Sequence, residues 1–422
     1  MELSVDVLEV IYNCLDNDTD RLNFRKMCRA TIRFTQIVTN PHTLETMQKY
    51  SKCIFTHLKA VRKQDLIHVH LTRLTCNGLN LTELPNITLV ELNCNGNQLT
   101  QLPDMPQLIK LQCNNNRLTQ LPDMPLLTKL NCSNNRLTQL PDMPLLTKLE
   151  CNNNRLIQLP YMPQLVTLDC NGNQLTQLSD MLQLTELYCA SNRLIQLPDM
   201  PQLKVLNCGG NRLTQLPDMP QLIRLGCNNN QLTQLYGMPL LTLLHCYNNR
   251  LIQLPNMPLL TELDCAMNRL IQLPDMSQLK VLNCSCNLIT QLPYMPLLTK
   301  LDCKGNQLTQ LPDMPQLIKL DCSYNQLTQL PDIPQLVRLS CNNNQLTRLF
   351  NMPCLINLYC ANNQLTQLPN MPCLINLICI NNQLTQLPDM PQLTILHCYY
   401  NRLIQLPNTS SIQVLQCDDY LK

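Results

Sequence analysis

Hydrophobic and polar positions recur along most of the chain with a period of 19 residues. From residue 94 to residue 417 a cysteine returns at every 19th position, with leucines at fixed distances from it. Within one repeat, Leu111 and Cys113 alternate with the polar residues Lys110, Gln112 and Asn114. This period of two is typical of a short strand that buries one face. Because periods of this length mark stacked repeats, the pattern predicts a solenoid whose strands form a parallel sheet.

An asparagine follows each repeat cysteine three residues later, from Asn97 to Asn401. Short amide side chains satisfy backbone groups where a chain turns away from a strand. We therefore expect these asparagines to form an internal hydrogen-bonded ladder.

The segment between successive strands carries two prolines and a methionine, as in Pro103, Met105 and Pro106. Proline disfavours a helix there and favours an extended, polyproline-like back on the convex side. Methionine at this position is expected to fill the core from that side. A coil this short has a small cross-section, which explains why a compact apolar cysteine is retained.

The repeating unit resembles a leucine-rich repeat, with cysteine where that family usually has a third leucine. The residues that carry the resemblance in one repeat are Leu108, Leu111, Cys113, Asn116, Leu118, Leu121 and Pro122. It is similar to the short, proline-containing repeats of bacterial effector proteins. The resemblance implies an α/β-type leucine-rich-repeat solenoid with a parallel concave β-sheet, spanning residues 74–417 in about nineteen repeats, with 418–422 as the C-terminal end.

The column of thiols raises the question of metal or disulfide chemistry, most sharply at Cys284 and Cys286. Parallel side chains one strand apart, at ~4.8 Å, converge poorly on a metal and suit disulfides poorly. We expect inert buried thiols. No histidine–cysteine pair at catalytic spacing, phosphate-binding loop or isolated carboxylate pair stands out, so we predict a non-enzymatic protein without a cofactor or metal.

The charge composition of the chain indicates which classes of partner are unsuited to it. The 422 residues carry a formal charge of only +2 without a sustained basic stripe, which argues against nucleic acid or a membrane surface as partner. The N-terminus lacks a signal-peptide pattern, and no stretch approaches the ~20 apolar residues of a membrane span. With 25 cysteines in a long chain, we predict an intracellular protein in a reducing compartment.

The first 73 residues lack the repeat, and their pattern predicts a small all-α module. Ser4 can cap a first helix that ends before the polar cluster at 16–20, and a second helix follows. The segment resembles an F-box over residues 1–40, with Ser4 where that family has proline. The matching apolar positions are Leu3, Val7, Leu8, Ile11, Leu15, Leu22 and Met27.

An F-box implies binding of these apolar residues to the Skp-type adaptor of cullin ubiquitin ligases. Alternatively, the helices only cover the open end of the solenoid. Residues 41–73 are interpreted as linker and N-terminal cap. An F-box followed by uniform short repeats is also similar to the F-box/leucine-rich-repeat proteins of giant DNA viruses, which implies the host cytoplasm as location.

The outward strand positions vary among the repeats, so we expect them to determine which partner is bound. Charges between Lys300 and Arg338 are expected to pair with one another in solvent. Near the C-terminus, by contrast, apolar and aromatic residues predict a partner-binding surface on the concave face, unless the C-terminal tail covers it. These residues are Tyr359, Ile378, Ile380, Ile395, His397 and Tyr399.

The function predicted from these features is a non-catalytic adaptor that recruits a protein to a ubiquitin ligase. The alternative is a leucine-rich-repeat scaffold without a link to ubiquitin. An autonomous ligase, in the manner of some bacterial effectors, would need a catalytic domain beyond the repeats, and we expect none.

Overall fold

The computed structural model describes residues 73–84, 86, 88–407 and 411–419. The predicted F-box-like module of residues 1–40, and residues 41–72 of the predicted linker and cap, lie outside the described residues. The chain divides into two compact units, one ending at Gln202 and one beginning at Leu203. Each unit is described by itself.

Both units are built from three-residue strands separated by segments without regular structure. The first unit contains β1 (Arg73–Thr75), β2 (Glu91–Asn93), β3 (Lys110–Gln112), β4 (Lys129–Asn131), β5 (Lys148–Glu150), β6 (Thr167–Asp169) and β7 (Glu186–Tyr188). The second contains β8 (Val205–Asn207), β9 (Arg224–Gly226), β10 (Leu243–His245), β11 (Glu262–Asp264), β12 (Val281–Asn283), β13 (Lys300–Asp302), β14 (Lys319–Asp321), β15 (Arg338–Ser340), β16 (Asn357–Tyr359), β17 (Asn376–Ile378), β18 (Ile395–His397) and β19 (Val414–Gln416).

Within each unit every strand pairs in parallel with the next one along the chain. The register follows the repeat, so that Lys110 lies beside Lys129 and Leu111 lies beside Leu130. The predicted parallel-strand solenoid is therefore confirmed. Because one repeat position always neighbours the same position of the next turn, side chains form continuous rows across the strands.

The core consists of the inward rows. Leu111 and Cys113 are buried, whereas Lys110 and Gln112 are exposed, as the alternation predicts. Met105 is also buried, and the methionine row fills the core from the side opposite the sheet. The interior of each short coil is thus filled by side chains from the sheet and from the opposite side.

The asparagine ladder is present, and each rung joins a side chain to backbone groups of two turns. Oδ1 of Asn116 accepts the N–H of Leu99 at 3.0 Å, and its Nδ2 donates to the carbonyls of Cys94 at 2.9 Å and Cys113 at 3.1 Å. The same three contacts recur at Asn344. Buried backbone groups that no strand pairs are thereby satisfied.

The segments between strands contain no helix anywhere in the described parts of either unit, which agrees with the predicted effect of proline. A short turn, in which the Leu108 N–H donates to the Met105 carbonyl at 3.1 Å, leads into β3, and the equivalent turn precedes β4 to β7 and β9 to β18. The α-helical part of the predicted fold class falls on residues 1–40 and stays a prediction. Within the described ranges, no helix has the length and apolarity needed to cross a membrane.

Candidate protein-binding face

The outward side of the sheet, called here the sheet face, is made of three rows. They are formed by the first residue of each strand, the third residue of each strand, and the residue after each repeat cysteine. The core rows hardly change from turn to turn, but these three rows do. The chemistry of the sheet face therefore differs along each unit.

The six residues predicted as partner-binding come together on β16 to β18. They form the apolar patch: Tyr359, Ile378, Ile380, Ile395, His397 and Tyr399. Tyr359, Ile378 and His397 are direct neighbours in the third-residue row. All six side chains are half-buried, so neighbouring side chains hold them while part of each remains open to solvent.

Two contacts at the edges of the apolar patch fix its aromatic rings. The guanidinium carbon of Arg338 lies 5.7 Å from the ring centroid of Tyr359, a cation–π distance. At the other edge Tyr399 packs edge-to-face against Tyr400, with ring centroids 5.0 Å apart. Nε2 of His397 is buried without a hydrogen-bond partner.

Residues 411–419 extend the sheet and do not cover the apolar patch, which was the alternative to partner binding. β19 pairs in parallel with β18, with Val414 beside Ile395 and Gln416 beside His397. Asp418 then accepts the N–H of Tyr400 through its carboxylate at 3.0 Å.

The expectation that charges between Lys300 and Arg338 pair with one another is wrong for most of them. Within residues 300–338, all of them described, a single ion pair is present, between Lys304 and Asp302 at 3.5 Å. Lys300, Lys319 and Arg338 instead stand side by side in the first-residue row. The 19-residue period is the cause, because it places each cation beside the cation of the next turn.

The two carboxylates on the sheet face of this region, Asp302 and Asp321, are likewise neighbours. Burial, with a smaller contribution from Asp321, raises the pKa of Asp302, although the contacts with Lys304 oppose the rise. The two rows line a shallow cavity of about 320 Å³ that reaches from Val281 to Ser340. This cavity lies directly beside the apolar patch and adds charged groups to the same face.

The first unit carries a different surface, in which opposite charges are paired. Glu91 contacts Lys110 at 3.0 Å and Arg73 at 3.5 Å, and Lys148 contacts Glu150 at 2.7 Å. Contact with Glu150 raises the pKa of Lys148. Glu91 and Glu150 are thus each paired with a cation, whereas Lys129, which lies between Lys110 and Lys148 in the first-residue row, takes no part in these ion pairs.

The repeat cysteines are buried and form no disulfide bonds, as predicted. Burial raises the pKa of Cys208 and of Cys360 to about 12, and burial followed by the charge of Cys417 does the same for Cys398. These thiols stay protonated at neutral pH, and a protonated thiol is neither a nucleophile nor a metal ligand. Among the described residues, no group of three or more His, Cys, Asp or Glu side chains is placed to hold a metal ion.

Comparison with known proteins identifies the family to which this architecture belongs. No family model and no curated protein matches the sequence. Among solved structures, YopM from Yersinia enterocolitica WA-314 is 32% identical with a TM-score of 0.72, over 85% of this chain and 93% of that chain. This chain belongs to the leucine-rich-repeat family.

Two further leucine-rich-repeat structures are similar. The protein LIC12759 of Leptospira interrogans is 25% identical with a TM-score of 0.61, over 79% of this chain and 97% of that chain. The functional domain of InlJ from Listeria monocytogenes, which includes a cysteine ladder, is 30% identical with a TM-score of 0.61, over 72% of this chain and 70% of that chain.

One row of this leucine-rich-repeat protein was missed by the sequence reasoning. The residue two positions after each repeat cysteine from Cys76 to Cys398 has a positive φ between 52° and 67°, and it is usually asparagine or glycine. Tyr400 occupies this position with φ 57° and an exposed fraction of 69%, next to the apolar patch. A tyrosine in the left-handed region carries strain. Its departure from the Asn/Gly pattern was the signal in the sequence.

Proposed function

We propose that this chain is the substrate-recognition subunit of a Skp–cullin–F-box-type ubiquitin ligase. Residues 1–40 would bind a Skp-type adaptor, and the sheet face would hold the protein to be ubiquitinated. The chain itself would catalyse no step and need no cofactor. The proposed location is intracellular, in the host cytoplasm for a viral source.

The apolar patch is the observation that carries the target-binding half of this proposal. Aromatic side chains are enriched at protein interfaces because a rigid ring buries a large area at a small entropic cost. Tyr359 and Tyr399 are held in place by packing, which reduces the cost further. Arg338 and Lys319, just beyond the patch, supply the polar rim that interfaces usually have.

The adaptor-binding half is supported by the F-box resemblance of the N-terminal apolar positions. It is tested with a purified Skp-type adaptor and the full chain, immobilised at equal concentration. The test variant carries Leu8→Asp and Ile11→Asp. A matched control carries the same two changes at exposed repeat positions, Leu182→Asp and Ile157→Asp, whose exposed fractions are 58% and 59%.

We expect the parent and the control to bind the adaptor, and the test variant to bind it at least tenfold more weakly. Circular dichroism of all three checks that the repeats remain folded. Equal binding by the test variant, or no binding by the parent, would overturn the adaptor role.

The alternative function is a protein-binding scaffold without a link to ubiquitin. The apolar patch supports this scaffold function equally well, because the patch could bind a protein whether or not an adaptor is bound at the N-terminus. A chain that fails to bind the adaptor but still holds a protein on the sheet face would establish this second function.

A further inference from the structure

Two exposed cysteines occupy the same position of adjacent turns. Cys354 and Cys373 are 19 residues apart, and each follows a proline before β16 or β17. Both are free and exposed, unlike the repeat cysteines. The turns on either side carry exposed glutamine at this position, Gln335 and Gln392. The thiols are therefore not demanded by packing.

The backbone holds the two cysteines in equivalent conformations side by side. The residue after each one makes the same turn contact, from Leu355 N–H to Met352 at 3.0 Å and from Leu374 N–H to Met371 at 3.1 Å. Two residues after Cys373, the Ile375 N–H donates to the carbonyl of Ile356, at the equivalent position of the neighbouring turn, at 2.9 Å. The cysteines thus project from neighbouring turns about one strand spacing, ~4.8 Å, apart.

This spacing suits a two-coordinate ion that lies between the sulfurs better than a disulfide bond or a tetrahedral metal, because the last two need converging side chains. A disulfide requires the two Cβ atoms to approach to roughly 3.5–4.5 Å with converging side chains, whereas equivalent positions of parallel turns project in parallel. With the zinc–sulfur distance of about 2.3 Å as a guide, an ion midway between two thiolates spans roughly 4.6 Å. We propose that Cys354 and Cys373 together bind one soft monovalent metal ion of the Cu(I) class.

The ligand set decides the class of ion. Thiolates select soft ions such as Cu(I). A structural zinc site needs four ligands, and the described parts of the chain place no third histidine, cysteine or carboxylate in such a cluster. On binding, each thiol gives its proton to solvent and each sulfur donates an electron pair to the ion, so no oxidant is needed. The buried Cys360, protonated and enclosed, does not compete.

The test uses silver(I), a soft monovalent probe, with the full chain. Native mass spectrometry counts the ions that remain bound in the presence of a small-molecule thiol competitor. Cys354→Gln and Cys373→Gln introduce the residue that neighbouring turns already carry, so both variants are expected to fold. Cys286→Asn is the control, because it removes an exposed thiol at a position where asparagine is common in other turns.

We expect each single glutamine variant, and the double variant, to lose the same one tightly held ion, with two protons released per ion in the parent. The Cys286→Asn variant should lose none. Cysteines outside the described residues are identical in all variants and cancel from the comparison. The proposal is overturned if the two single losses add up to two ions in the double variant, or if ion uptake is unchanged.

Discussion

The sheet face has two chemically opposite regions on one type of backbone. Around β2 to β5, acids and bases contact one another, as Glu91 does with Lys110 and Glu150 with Lys148. Around β16 to β18, tyrosine, isoleucine and histidine occupy the same rows and leave part of their apolar surface open. Strand length, register and buried core are alike in both regions. The outward rows can therefore change without altering the repeats that carry them.

Different residues determine the stability of the turns and the binding properties of the sheet face. Core rows and asparagine rungs hold the turns together in both regions. A paired charge in solvent gains little from further contact, whereas an open apolar patch gains by losing contact with water. We therefore propose the second region as the protein-binding one.

The largest expected effect is unfolding at alkaline pH. It should affect both regions alike, because both contain the column of buried cysteines. In the unfolded chain a thiol loses its proton near pH 9, whereas folded Cys360 and Cys398 hold theirs to about 12. Above pH 9 the folded state binds more protons, so stability falls as pH rises. Below pH 9 the thiols have no such effect.

Thermal midpoints measured from pH 8 to pH 11 check this prediction. Each thiol should contribute a slope of about 1.4 kcal/mol per pH unit. A variant with Cys360→Ala and Cys398→Ala should show a shallower decline, which separates thiols from other groups that titrate at high pH. An identical decline in parent and variant would rule out the thiols as the cause.

Removing a rung should destabilise both regions equally. Asn135→Leu and Asn344→Leu each leave one buried N–H without its side-chain partner. Each also removes one of the two asparagine donors of two cysteine carbonyls, which keep the donor of a neighbouring turn. At about 1–3 kcal/mol for the buried N–H left unpaired, we expect a loss of at least that size in each variant. Urea denaturation measures the loss.

The control for the rung is Asn228→Leu, the same substitution at a half-buried position on the sheet face. It should change the free energy of unfolding by less than about 0.5 kcal/mol. An effect at Asn344 as small as that at Asn228 would show that the rungs do not stabilise the turns.

The smallest expected effect concerns the paired charges of the first region. Glu150→Gln removes the ion pair with Lys148 but keeps the side-chain length. Because the pair is largely solvated, we expect a loss below about 1 kcal/mol at low salt. Urea denaturation in 1 M salt should reduce the difference further. A loss that persists in high salt would mean that packing, not charge, is responsible.

The periodicity of the sequence was enough to predict the parallel strands, the buried cysteines and the asparagine ladder, because each follows from local spacing. Alternation also placed all six residues of the apolar patch on one face. The same period also places Lys300 beside Lys319, but the expected charge pairing overlooked this because it considered the charges along the chain and not the rows across turns. Tyr400 was missed because its position depends on a backbone conformation that the hydrophobic pattern does not report.

Site-specific photo-cross-linking in cells tests the central claim most directly. A photoreactive amino acid replaces Ile378 in one chain and Gln112 in another, because both are third residues of a strand on the sheet face. We predict a discrete cross-linked protein from position 378 only, and loss of that product when Tyr359→Ser and Tyr399→Ser are added. The same products from both positions, or a product from 378 that survives the two serines, would contradict the assignment of protein binding to the apolar patch.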